Sequence, residues 1–208
     1  SPSSALTLGS LTQGTLANPG EQHRFTFAGT VGMHLYYDAQ DSDFDDINLQ
    51  LLDPAGNGVF AGNTDSDFGP FTLSQSGTYT LVVGGSSDTL GDYRFRLLDL
   101  ASASVLGATV SGVLDPANAT DAYRLAGLAG QRILLERLSS SGSEANWRLV
   151  DLFDQTLASG NISGNLPEAV LPADGTYYVL VEGYSISPTP LSYQIRQSVT
   201  NPTGSPSG

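Results

Sequence analysis

The densest chemistry in this chain is a run of acids. Eight of its 21 carboxylates, Asp38, Asp41, Asp43, Asp45, Asp46, Asp53, Asp65 and Asp67, fall between positions 38 and 67. Within that run, Asp41-Ser-Asp-Phe-Asp45-Asp46 and Asn63-Thr-Asp65-Ser-Asp67 place an oxygen ligand at every second residue. A loop that curves around a point turns such oxygens inward. Calcium takes roughly six to eight oxygens at about 2.3–2.6 Å and tolerates irregular loops, whereas the same carboxylates without a cation repel one another. The expectation is a Ca2+ site built from Asp41, Asp43, Asp45, Asp46, Asp65 and Asp67. It is not an EF-hand, because the sixth position from Asp41 is Asp46 where glycine is needed and the twelfth is Leu52 where glutamate is needed. The competing reading is a solvated acidic loop, or an acidic surface suited to salty surroundings, which the absence of lysine also fits.

Other chemistries have less support. All eight basic residues are Arg, so lysine nucleophiles and Schiff bases are excluded, and with no Cys there are no thiolates, disulfides or zinc–thiolate centres. Two His cannot build a three-histidine zinc site. Gly183-Tyr-Ser185-Ile-Ser187 lacks the second glycine of a nucleophile elbow, and neither His23 nor His34 is marked as its base. A glycosidase pair needs one buried acid of raised pKa, which a Gly/Ser-rich loop does not provide. The expectation is a protein that is not an enzyme. Tyr36, Tyr37, Trp147, Tyr178 and Tyr184 are candidates for a sugar-stacking platform, against core packing as the alternative. Asn118-Ala-Thr120 and Asn161-Ile-Ser163 match the glycosylation sequon, a short motif with little weight.

These residues must be carried by some framework, and the chain repeats itself. Residues 35–63 lie over 133–161 at an offset of 98 without a gap, so that Leu51, Asp53, Gly62 and Asn63 meet Leu149, Asp151, Gly160 and Asn161. Gly77-Thr-Tyr79 likewise meets Gly175-Thr-Tyr177, and by Tyr93 and Arg96, matched to Tyr193 and Arg196, the offset has grown to 100. The acids thin out in the second copy. Copy one has 3 Arg and 12 acids, copy two 5 Arg and 9 acids, and the counterpart of the acidic run keeps Glu144 among serines. At most one strong calcium site is therefore expected, in copy one.

Apolar residues alternate in Ile47-Asn-Leu-Gln-Leu51, in Tyr79-Thr-Leu-Val-Val83 and in Tyr93-Arg-Phe-Arg-Leu97, the period of half-buried strands. Asp53-Pro-Ala-Gly-Asn-Gly58 and Ser76-Gly77 supply turns between them. Ala126 to Arg137 is the one weak helical exception, and Gly127 and Gly130 each count against it by roughly 1 kcal/mol. The expected fold is all-β, two tandem antiparallel β-sandwich domains over 1–102 and 103–208. Each is large enough to bury its own core. A net charge of −13 opposes nucleic acid and anionic lipid, and no run of 18 apolar residues exists to insert into a membrane. The Ser/Pro/Gly-rich ends suggest linkers of a larger protein.

The order of motifs is similar to the bacterial pre-peptidase C-terminal domain. The resemblance rests on Tyr123-Arg-Leu125 with Ala129-Gly130-Gln131, on Asp46-Ile-Asn-Leu-Gln-Leu-Leu-Asp53-Pro-Ala-Gly56, and on Ser76-Gly77-Thr-Tyr-Thr-Leu-Val-Val83. It implies a jelly-roll-like sandwich in secreted bacterial proteins, non-catalytic and often associated with calcium. Copy two departs from the pattern at Ala145-Asn-Trp-Arg148. The function expected from it is a calcium-stabilised accessory or spacer module of an extracellular or cell-surface bacterial protein, such as an adhesin or exoenzyme, whose partners are its neighbouring domains. A carbohydrate- or peptide-binding module and a removable pro-domain of a secreted peptidase are the rival readings.

Overall fold

Alternation between core-facing and solvent-facing residues makes strands of nearly every apolar segment. The structure is a computed structural model that describes residues 2–41, 47–84, 89–187 and 189–201. It divides into two compact units, Ser1–Ala101 and Ser102–Gly208. The first contains β1 (Ser3–Ala5), β2 (Thr12–Leu16), β3 (Gln22–Gly29), β4 (His34–Ala39), β5 (Asn48–Leu52), β6 (Gly58–Asn63), β7 (Phe68–Thr72), β8 (Gly77–Gly84) and β9 (Gly91–Asp99). The second contains β10 (Ser104–Val105), β11 (Thr109–Leu114), β12 (Thr120–Gly127), β13 (Arg132–Ser140), β14 (Ala145–Val150), β15 (Thr156–Asn161), β16 (Ala169–Val170), β17 (Gly175–Gly183) and β18 (Leu191–Thr200). The segment with helical character, Ala126 to Arg137, is the end of β12, a turn and the start of β13. Gly127 and Gly130 punctuate it as strand and turn residues.

The sheet orders of the first unit are β1-β3-β8-β5-β6 and β2-β9-β4-β7; those of the second are β10-β12-β17-β14-β15 and β11-β18-β13-β16. The two units follow one scheme, strand for strand. Without its first strand, each pair of four-stranded sheets has the order of a jelly roll, in which long connections cross between the sheets. The pairing is antiparallel except at β1–β3 and β10–β12, which are parallel. That exception departs from the purely antiparallel expectation, and alternation cannot reveal it, because strand direction is set by distant pairing.

Each core is drawn from both sheets of its unit. In the first, Leu49, Leu51, Tyr79, Leu81 and Val83 of one sheet meet Leu35, Tyr37, Phe95 and Leu97 of the other. In the second, Trp147, Leu149, Tyr177, Val179 and Val181 meet Ile133, Leu135, Tyr193 and Ile195. Of the aromatic residues considered for sugar stacking, Tyr37 and Trp147 are consumed here. Tyr36, Tyr37, Trp147 and Tyr178 are all buried, and only Tyr184 is exposed, so no stacking platform forms. The correction has a simple cause: a large apolar surface is worth more inside a thin sandwich than on its face.

Matched polar devices lock both units. Tyr79 Oη donates to Gln75 O at 2.9 Å, and Tyr177 Oη donates to Ala173 O at 2.7 Å, each tying a core ring to the turn four residues upstream. Tyr177→Phe should cost the second unit about 0.5–1.5 kcal/mol in urea unfolding, the net value of one such bond. Asp53 Oδ1 accepts from the amides of Ala55 and Asn57 in the β5–β6 hairpin, and Asp151 Oδ1 accepts from those of Phe153 and Gln155 in β14–β15. Hydrogen bonds from the Asn57 side chain, then from backbone amides, hold the Asp53 carboxyl below its ordinary value of 3.8. A depressed acid stabilises the fold above its unfolded pKa, and that contribution is lost as pH falls through the folded value. The melting temperature should therefore drop on acidification below about pH 4, and less steeply in Asp53→Asn, which keeps an acceptor oxygen but binds no proton there.

Candidate functional site

The acidic turn is assembled from the end of β4 and the connection between β6 and β7. Antiparallel register sets Asp38 of β4 opposite Arg96 of β9. The Asp38 side chain is fully buried, and its Oδ2 accepts from Arg96 Nε at 2.6 Å and from Gln40 Nε2 at 2.8 Å. Gln40 and Asp41 continue the strand's path and are buried too. Across from them, Thr64 N donates to Ile47 O at 2.9 Å, and Thr64 Oγ1 lies 3.5 Å from Asp41 Oδ2. Asp67 Oδ1 accepts from Ala39 N at 2.7 Å and Oδ2 from Tyr36 Oη at 3.0 Å, which pins the β6–β7 turn onto β4. Asp65, at the turn's outer side, accepts from Ser66 Oγ.

Tyr37 occupies the centre of this arrangement. Its buried hydroxyl donates to Thr64 O at 3.1 Å. Burial pushes its pKa well above 10, and the charges of Asp67, Asp41, Asp38 and Asp65 push it further in the same direction. The phenol thus stays a neutral donor.

Of the six residues expected to hold calcium, Asp41, Asp65 and Asp67 lie near one another around Thr64 and Tyr37. Asp43, Asp45 and Asp46 lie outside the described residues. Among the described residues, no three acidic or histidine side chains are placed to hold a metal ion. Asp67 spends its oxygens on Ala39 N and Tyr36 Oη in joining the β6–β7 turn to β4. Gln40 carries no signal in the sequence, Arg96 is marked there only as a repeat position, and Tyr37, a stacking candidate, serves here as a buried donor. One signal was available: Arg96 and Arg196 match in the repeat, and so do Asp38 and Glu136, whose pair recurs as Arg196 Nη2 to Glu136 Oε2 at 2.8 Å.

The corresponding loop of the second unit carries one carboxylate. Glu144 Oε2 accepts from Ser143 N at 2.9 Å, beside a hollow of about 170 Å³ that Ser141, Ser185, Ser187 and Thr189 also line.

His23 is a partly exposed residue of β3 that links two other side chains: Nδ1 lies 2.6 Å from Tyr93 Oη and Nε2 lies 3.1 Å from Glu21 Oε1. The order acid, imidazole, hydroxyl has the outline of a catalytic relay. Its last member is a phenol whose pKa burial, and then Glu21, push up to about 12, which makes it a poor nucleophile at neutral pH. The second unit replaces the imidazole with Tyr123: Tyr123 Oη and Tyr193 Oη are 2.7 Å apart, and Tyr193 donates to Asp121 Oδ2 at 2.7 Å. Both networks lie over a glycine, Gly14 or Gly112, where a Cβ would collide with the Tyr93 or Tyr193 ring. An architectural lock explains this shared geometry, since the second unit builds it with a phenol where the first has an imidazole.

The class these observations define is a jelly-roll β-sandwich module, present twice in one chain. No family model and no curated protein matches the sequence. Among solved structures it is similar to a periplasmic lysozyme inhibitor of g-type lysozyme, PliG of Aeromonas hydrophila. The match has 20% identity over 47% of this chain and 95% of that chain, at a TM-score of 0.40. The CUB1-EGF-CUB2 domains of rat MASP-1 match 94% of this chain and 99% of theirs at 6% identity and a TM-score of 0.28. Those of human MASP-1/3 match 91% and 99% at 8% identity and a TM-score of 0.27.

Proposed function

We propose that the chain is a non-catalytic accessory module of an extracellular or cell-surface bacterial protein, similar to the pre-peptidase C-terminal domains, with calcium stiffening its first unit. Its partners are then the neighbouring domains of the same polypeptide, which it spaces and orients. The observation that supports this reading is that Asp41, which meets Thr64 Oγ1, and Asp67, which accepts from Ala39 N and Tyr36 Oη, are brought to the same turn beside the Tyr37–Thr64 hydrogen bond, with three further aspartates following Asp41 in the chain. Like charges held this close favour a divalent cation whose ligands are carboxylate oxygens. The cation's part would be structural, joining the β4–β5 connection to the β6–β7 turn. The second unit, with Glu144 alone in the matching loop, is held by direct pairs such as Arg148–Glu182.

A thermal melt in EDTA and in millimolar calcium tests this. Ligand that binds only the folded state, present at about 100 times Kd, adds about 2.7 kcal/mol. The expected result is a calcium-dependent rise in Tm that is lost in the Asp43→Ala/Asp45→Ala double variant, with calorimetric titration counting one strong site. A melt that ignores calcium in both proteins would overturn the metal and leave a solvated acidic turn. Two comparable sites would overturn the asymmetry between the units.

A further inference from the structure

On the outer face of the five-stranded sheet of the first unit lies an open groove of about 590 Å³. It is made from residues one strand position away from the core: Asn48 and Gln50 point outward while Leu49 and Leu51 are buried. Register lines up its walls. Asn48 is opposite Asn63, Gln50 is opposite Ala61 on one side and Val82 on the other, and Gln22 is opposite Gly84. Four carboxamides, Gln22, Asn48, Gln50 and Asn63, thus surround a shallow apolar floor; no charged residue lines it, and Arg24 reaches it only through Gln22, whose Oε1 accepts from Arg24 Nη2 at 3.2 Å. Among the described residues, the side chains of Asn48 and Gln50 make no hydrogen bond, so both present their donors and acceptors to the groove.

We propose that this groove binds a neutral, polyhydroxylated chain, an uncharged oligosaccharide segment. A carboxamide offers a donor and an acceptor side by side, the complement of vicinal sugar hydroxyls, each of which is also both. The groove's neutrality within a strongly acidic unit disfavours anionic ligands and offers no carboxylate to seat a cationic one. An extended peptide would need a free strand edge and pockets for alternate side chains. Here the backbones of β3, β5 and β8 are already paired on both sides, β6 is the edge strand, and the groove lies on the face of the sheet rather than along that edge.

The second unit provides an internal contrast. At the positions of Gln50 and Gly84 it has Arg148 and Glu182, which form a fork across the same face: Nη2 to Oε1 at 2.7 Å and Nε to Oε2 at 3.0 Å. Asn161, the counterpart of Asn63, donates to Ser143 O at 2.7 Å and lies 3.2 Å from Tyr184 Oη. The Arg148–Glu182 pair thus occupies the part of that face where the first unit presents Gln50, and saccharide binding belongs to the first unit alone.

The proposal does not depend on calcium, so its test runs in both EDTA and calcium. The full ¹⁵N-labelled chain is titrated with cellohexaose, xylohexaose, mannohexaose and maltohexaose, and with hexagalacturonate as the charged contrast. The expected result is that at least one neutral hexasaccharide shifts the side-chain amide signals of Asn48 and Gln50 and the backbone of β5, β6 and β8, with hexagalacturonate weaker. Asn48→Ala/Gln50→Ala should weaken that binding about ten-fold or more, the loss of one or two hydrogen bonds, with an unchanged melt. Gln50→Arg, which copies the second unit, should weaken it similarly, whereas Asn146→Ala should not. Shifts confined to the second unit, no response to any of the four neutral sugars, tighter binding of hexagalacturonate, or full affinity in a well-folded double variant would each overturn the proposal.

Discussion

Arg96→Ala should destabilise the first unit by about 3–5 kcal/mol, the cost of leaving a buried charge without the cation it was paired with. Asp38 is fully buried and Arg96 meets it at 2.6 Å from the neighbouring strand. With Arg96 gone, Gln40 can still donate to the carboxylate, but a neutral amide does not replace a guanidinium. The matched pair in the second unit supplies the control. Arg196 and Glu136 are 49% and 21% exposed, so solvent screens them, and Arg196→Ala should cost no more than about 1 kcal/mol. An acid–arginine pair on matching strands of the two units is thus expected to differ several-fold, chiefly because one acid is buried and the other is not. Urea unfolding is the appropriate readout, since guanidinium salts would screen the pair. Far-UV circular dichroism follows both units together, and fluorescence of the single Trp, which belongs to the second, identifies that unit's transition so that the first unit's is obtained by difference. Equal losses from the two variants would mean that burial does not govern this pair.

Trp147→Ala should destabilise the second unit by a similar amount, about 3–5 kcal/mol, through lost transfer energy and an unfilled cavity. The side chain is completely buried between the sheets, where the first unit has Leu49. More informative is Trp147→Phe. The indole Nε1–H is buried without a hydrogen-bond partner, and an unmet buried donor costs about 1–3 kcal/mol. Phenylalanine removes that donor along with part of the apolar contact, so the two effects oppose each other and the net change should stay within about 1 kcal/mol. Denaturation followed by circular dichroism checks both variants. A Phe variant as unstable as the Ala variant would mean that the indole donor is satisfied in solution, with an internal water as its natural partner.

The strands were legible because their signal is local. Period-two alternation in Ile47 to Leu51 or Tyr79 to Val83 is a direct record of one face in a core and one in water, and turns such as Asp53-Pro-Ala-Gly carry their own punctuation. The acidic site was legible only in composition. Spacing at every second residue marked Asp41, Asp65 and Asp67, but it treated all carboxylates alike. Asp38, adjacent in the same run, proves to be a fully buried ion-pair partner, and Asp67 proves to be a bridge between a tyrosine and a backbone amide. Aromatic side chains were ambiguous for the same reason: sequence shows that Tyr36 and Trp147 are large and flat, but not which side of a sheet they occupy once distant strands have paired.

The sequence by itself thus determined an all-β chain, the 98-residue spacing of matched motifs and a concentration of negative charge in one region, all properties of neighbouring residues or of internal comparison. Tertiary structure alone decided which groups meet. Asp38 and Arg96 are 58 residues apart in the chain and become partners through the register of β4 with β9. His23 and Tyr93 are joined across 70 residues, and Asn48, Gln50, Asn63 and Gln22 form one groove only after β3, β8, β5 and β6 lie side by side. Register and sheet order are set by the summed packing of two whole sheets, a long-range quantity that no short stretch of the chain contains.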